Sequence, residues 1–78
     1  MNAVTAVKNA AALKRELIDS ILEGKESDTF KIISKVSDNP LEVAYLMKYC
    51  HMIDDKFQQT TVTELLVKLE TRQAMFIE

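Results

Sequence analysis

Pro40-Leu41-Glu42-Val43-Ala44-Tyr45-Leu46-Met47-Lys48-Tyr49-Cys50-His51-Met52-Ile53-Asp54-Asp55-Lys56-Phe57 is the stretch whose reading decides the fold. Proline disfavours helical dihedrals in the residue before it, so Asn39 is placed as N-cap. Pro40 then occupies the first helical position, where its missing N–H is no loss. Glu42 falls at N3, where a carboxylate reaches back toward the cap and meets the positive end of the helix dipole. Val43, Leu46, Cys50, Ile53 and Phe57 recur at steps of three and four and define one seam. Leu41, Tyr45, Tyr49 and Met52 lie on a second side at 100° per residue. The polar arc (Lys48, His51, Asp54, Asp55) is narrow. A helix apolar on two sides is sandwiched between neighbours, so the sequence predicts an all-α fold of three or four antiparallel helices around a central helix at about 40–58.

Upstream, the spacing predicts a helix from about Ala3 to Glu23, with Ala6, Ala10, Leu13, Leu17 and Ile21 on one face. Ala10-Ala11-Ala12 combines high helix propensity with small side chains that admit a close neighbour. Gly24 is the stop, because glycine takes the left-handed conformation without a Cβ clash. A short second helix is expected over about Thr29 to Val36, capped by Ser27 or Asp28, with Phe30, Ile33 and Val36 inward and Ile32 beside them. Downstream, the apolar phase is lost at Gln58-Gln59-Thr60-Thr61. A break is expected there, with a bent continuous helix as the alternative; the break has Thr61 and Glu64 forming a capping box for a last helix over Val62 to about Ile77. Val62, Leu65, Leu66, Leu69 and Phe76 supply its apolar side, and Glu64 and Lys68 form an i,i+4 pair.

The 78 residues carry 10 Lys+Arg and 12 Asp+Glu, a net charge of −2. Nucleic-acid binders draw affinity from a basic excess or stripe. The nearest thing to one is Lys25, Lys31 and Lys35, with Glu26 and Asp28 among them, so no nucleic acid is expected as partner. The first fifteen residues hold Lys8, Lys14 and Arg15 and no acid, a composition that resembles a transit peptide. No apolar run reaches the roughly 18–20 residues of a membrane span. With one Gly and one Pro, neither a linker nor a phosphate-cradling loop is present, and the chain is read as one domain, 1–78.

Catalytic and metal chemistry find little support. Cys50 and His51 are neighbours pointing about 100° apart on a helix, so they do not face each other as nucleophile and base. Cys50 belongs to the apolar seam, where a thiol acts as a small hydrophobe. His51 and Asp55 stand at i,i+4, two ligands where zinc wants three or four. No enzyme activity, cofactor or metal site is expected. A lone cysteine fits a reducing, cytoplasmic setting. A pairing of Thr29–Val36 with the helix from Pro40 as a helix-turn-helix offers tyrosine, leucine and methionine where base edges want polar side chains.

Ser37-Asp38-Asn39-Pro40 and the helix-rich stretch behind it resemble the turn and C-terminal helix of type III secretion needle and inner-rod subunits, over about half the chain. The resemblance implies a polymer-forming two-helix hairpin. Gly24, the separate short helix and the break at 58–61 depart from that pattern. The leading expectation from the residues is a small, non-enzymatic protein–protein interaction module (an adaptor, inhibitor or regulatory subunit). Self-association, as a homodimer, is expected because one small core leaves a thin stability margin. Tyr and Met are enriched at interfaces. Leu41, Tyr45, Tyr49 and Met52 fit either an internal packing face or a contact surface; as a contact surface they are the expected site, with the terminal Met75 and Phe76.

Overall fold

The computed structural model describes residues 2–76, and in it Asn39 caps the central helix as the sequence predicts. Its side-chain oxygen accepts from the Leu41 N–H at 2.8 Å. Four helices follow in order: α1 Ala3–Leu22, α2 Glu26–Lys35, α3 Pro40–Phe57 and α4 Thr60–Ala74. All four contribute side chains to one core. The radius of gyration, 11.7 Å, is close to the roughly 11.5 Å of a fully packed chain of this length.

The helices stand at the corners of a square. The contacting pairs are α1 with α2, α1 with α3, α3 with α4, and α2 with α4. The backbones of the diagonal pairs α1–α4 and α2–α3 stay apart. Consecutive helices run antiparallel. Lys35 reaches back to Glu16 across α1 and α2, and Thr63 to Asp54 across α3 and α4. The two hairpins meet along like-directed helices: Lys14 lies over Tyr49, and Lys68 over Phe30. The two-helix hairpin implied by the secretion-subunit resemblance is not the architecture.

α1 buries Ala6, Ala10, Leu13 and Leu17. The two alanines are fully buried, which lets α3 come close, since interaxial distance follows side-chain size at the contact. The segment with transit-peptide composition is thus built into the core. α1 ends in a Schellman motif: Gly24, at φ 72, donates to the Ile21 carbonyl, and Lys25 donates to Ser20. A Cβ on Gly24 meets nothing within 4 Å, so it is the dihedral that asks for glycine there.

The structure departs from the sequence expectation in four places. α2 starts at Glu26 with Lys25 at the cap and no side-chain capping bond, so neither Ser27 nor Asp28 serves as cap. Its buried line is Thr29, Ile32 and Val36, with Phe30 and Ile33 half-buried. The reason is that α2 packs on two neighbours, α1 and α4, so its deepest residues lie on the bisector. Phe30 is turned to the α4 side, beneath Lys68. The Thr29 hydroxyl, buried, donates to the Lys25 carbonyl at 3.2 Å, which satisfies it locally.

The break after α3 is present, but its chemistry differs from the expected capping box. Gln58 takes the left-handed conformation, φ 52, and its N–H closes on the Asp54 carbonyl at 2.8 Å. One such residue reverses the chain so sharply that α4 begins at Thr60, with Gln59 at the cap and no side-chain capping bond. Thr63, not Thr61, makes the local contacts, donating to Asp54 at 3.3 Å and to the Gln59 carbonyl at 3.4 Å. The expected Glu64–Lys68 pair does not form: among the described residues the ion pairs are Lys25–Glu23, Lys31–Asp28 and Lys35–Glu16. α4 ends at Ala74; the expected last residue, Ile77, lies outside the described residues.

The strap between α2 and α3 crosses from one corner of the square to the opposite one, and two side chains hold it. Arg72 donates to the Val36 carbonyl at 3.1 Å. Glu42 accepts from the Ser37 N–H at 2.7 Å, reaching past the cap residue. Asn39 N–H in turn donates to the Ser37 hydroxyl at 3.3 Å.

Candidate functional surface

Beside the buried seam of α3, the structure sorts the remaining apolar side chains by neighbour. The C-terminal halves of α1 and α3 run side by side and leave a groove of about 440 Å³. From α1 come Lys14, Ile18 and Leu22, one turn apart; from α3 come Tyr49, Met52, Lys56 and Phe57, with Ile53 at the floor. Met52 is 60% exposed and Leu22 69% exposed. Lys14 places its ammonium 5.0 Å from the centre of the Tyr49 ring, and Lys56 sits 5.6 Å from that of Phe57. Each ammonium group therefore lies over an aromatic face.

Two shallower hollows lie on the same two helices, nearer their starts. One is formed at the start of α1 by Ala3, Val4, Val7 and Lys8. The other is formed on the first turns of α3 by Leu41, Ala44, Tyr45 and Lys48. All three hollows combine apolar side chains with lysine, and no acidic side chain lines any of them. The α1–α2 side is the reverse. Its two hollows are lined by Glu16, Asp19, Asp28 and Glu42 together with Lys31 and Lys35.

The six residues singled out from sequence are divided by the fold. Leu41 and Tyr45 share one hollow. Tyr49 and Met52 line the deep groove. Tyr45 and Tyr49 are each half-buried, part of the packing and part of the surface. Met75 and Phe76 follow the end of α4, 71% and 37% exposed, and line none of these hollows. Sequence reasoning missed the α1 half of the surface. Val7, Ile18 and Leu22 adjoin the buried face of α1 in phase, so periodicity alone does not set them apart from it, and the four lysines are too far apart in sequence to register as a patch.

The residues weighed for chemistry stay apart. Cys50 is fully buried, and burial pushes its thiol up to about 12 from 9.0, which leaves it protonated and unreactive near neutrality. His51 is exposed on the other side of the helix. Asp54 accepts from Thr63. Among the described residues no three His, Cys, Asp or Glu side chains gather to hold a metal. No described helix is long and apolar enough to cross a membrane.

The thiol makes a checkable statement. Because its pKa is raised by folding, the stability it contributes is fully present below pH 9 and is lost as pH rises toward 12. A thiol-specific reagent at pH 8 is expected to leave native Cys50 unmodified and to label it promptly in denaturant. Rapid labelling of the native protein would mean that Cys50 is not buried.

Comparison with protein-family models, with curated proteins and with solved structures finds no match to the chain.

Proposed function

We propose that this chain is a small, non-enzymatic protein–protein interaction module, an adaptor, inhibitor or regulatory subunit that engages its partner through the α1–α3 face. One observation carries the reading: three apolar hollows on α1 and α3, with Met52 and Leu22 standing out of the deepest, share a single sign of charge. Exposed apolar patches with a polar rim mark interaction sites, and Met and Tyr at the centre suit a surface that repacks around a partner. The reading includes no catalysis and no cofactor. A reducing, cytoplasmic setting is part of it, in keeping with the lone buried thiol.

The test is site-specific photo-cross-linking in the native cell, with a photoreactive amino acid at position 52 and, as control, at position 70 on the exposed side of α4. A discrete heterologous adduct from position 52 alone is the expected result. Adducts equal at both positions, or none from position 52, would sink the proposal. Self-association, as a closed dimer or as the polymer of a secretion-type subunit, is the competing occupant of this face. Mass measured across a dilution series decides it: a monomer at high concentration removes the homo-oligomer, and filaments in electron micrographs favour the polymer.

A further inference from the structure

Resting on the interaction reading above, we infer that the α1–α3 groove takes an amphipathic helix of another protein whose apolar ridge is flanked by Asp and Glu side chains. Charge complementarity carries the choice. Lys25, Lys31 and Lys35 each have a carboxylate within ion-pair distance. Lys14 and Lys56 have none among the described residues; their ammonium groups rest on aromatic rings. A ring face holds a cation weakly and leaves its outward hydrogens to water, so these two charges are open to a partner's carboxylates; Lys68 rests on Phe30 in the same way on the α2–α4 side, but it stands alone there, whereas Lys14 and Lys56 line one apolar groove. Lys8 and Lys48 extend the same sign along both helices, in a chain whose net charge is −2.

Shape selects the helix. From Lys14 to Leu22 the groove runs about 12 Å at 1.5 Å per residue, roughly two turns. That length accepts apolar side chains at i, i+3 or i+4, and i+7 of an incoming helix. A concave slot with a lysine on each wall orients a ridge that carries acids on both sides, whereas a flat bilayer leaves the slot unfilled. Base edges would meet methionine and leucine there. A second copy of the chain docked by this face sets lysine against lysine.

The probe is a fluorescent synthetic helix of about 16 residues, with leucine at every third or fourth position and glutamate on both flanks. Its counterpart carries lysine in place of each glutamate. The acidic peptide is expected to bind, with amide shift changes at Lys14, Ile18, Tyr49 and Met52, and the basic peptide to bind far more weakly. The double variant Lys14→Glu/Lys56→Glu is expected to lose about five- to tenfold in affinity for the acidic peptide and to gain affinity for the basic one. Met52→Glu, with both lysines intact, is expected to weaken the acidic peptide through the lost apolar contact. Circular dichroism checks that each variant keeps its helices, and Lys14→Gln/Lys56→Gln replaces the double reversal if that one unfolds.

Equal binding of the two peptides, shift changes away from the groove, or no binding of the acidic peptide overturns the inference. So does preferential binding to phosphatidylglycerol vesicles or to a DNA duplex. A cross-linked partner from position 52 that presents no acidic amphipathic helix removes this inference and leaves the interaction module standing. Absence of any adduct from that position removes both.

Discussion

The two sides of α1 solve the same electrostatic problem in opposite ways. Toward α2, every lysine has a carboxylate nearby. Lys35 bridges to Glu16 with both oxygens at 3.4 Å, Lys31 pairs with Asp28, and Lys25 with Glu23; Lys25 is held above its usual range by the Glu23 carboxylate. Toward α3, Lys14 and Lys56 shield aromatic rings and have no such partner. The first side is finished within the chain. The second is an apolar, one-signed surface that a folded monomer has no structural need to build. Surface ion pairs are worth little to stability, so the difference is about what each side offers to another molecule.

Perturbing what lies under both faces gives the largest effect. Leu46 is fully buried on the α3 seam. Leu46→Ala is expected to cost about 2–5 kcal/mol in chemical denaturation, loosening both faces together. A loss confined to one face in hydrogen exchange would show that the core is not continuous beneath the two. Next comes Glu42, 1% exposed, with one oxygen on the Ser37 N–H and Oε1 without a protein partner. Glu42→Ala removes the strap's anchor and is expected to cost about 1–3 kcal/mol. Glu42→Gln retains an acceptor for Ser37 and is expected to cost less. If Gln costs as much as Ala, the charge rather than the acceptor is what matters there.

Two smaller effects separate the faces directly. Met52→Ser is expected to change stability by less than about 0.5 kcal/mol while abolishing adducts formed from neighbouring positions in the groove. A loss above about 1 kcal/mol would mark Met52 as packing rather than surface. The smallest is Lys35→Ala, expected to cost about 0.2–0.5 kcal/mol and to leave binding at the α1–α3 face untouched. An effect on that binding would mean that the two sides of α1 are coupled.

Much of the fold was legible because single residues decide it. Asn39-Pro40 sets the start of α3 by sterics alone, Gly24 ends α1, and the three-four spacing of Val43 to Ile53 marks the side that is buried. The misreadings share a physical cause. The capping box at Thr61–Glu64 is a local pattern, and it lost to the left-handed turn at Gln58, a conformation that the glutamine side chain does not advertise. The inward line of α2 depends on which helices flank it, and that is settled by topology. The candidate surface was half legible. Tyr49 and Met52 stood out on their own helix, but their partners Lys14, Ile18 and Leu22 come from a helix more than two dozen residues earlier, and only the like-directed pairing of α1 with α3 brings them alongside.

The diagonal strap has a consequence for how this molecule sits among others. Both hairpin turns, at Gly24 and Gln58, lie at one end of the square. The strap, the start of α1 and the end of α4 lie at the other. Anything fused to either end of the helical body, whether a tag, a tether to a surface or a further polypeptide, therefore departs from the strap end. The deep part of the groove, between Leu22 and Phe57, opens toward the far pole, clear of such attachments, so that two different cargoes joined to the chain ends would leave it equally accessible.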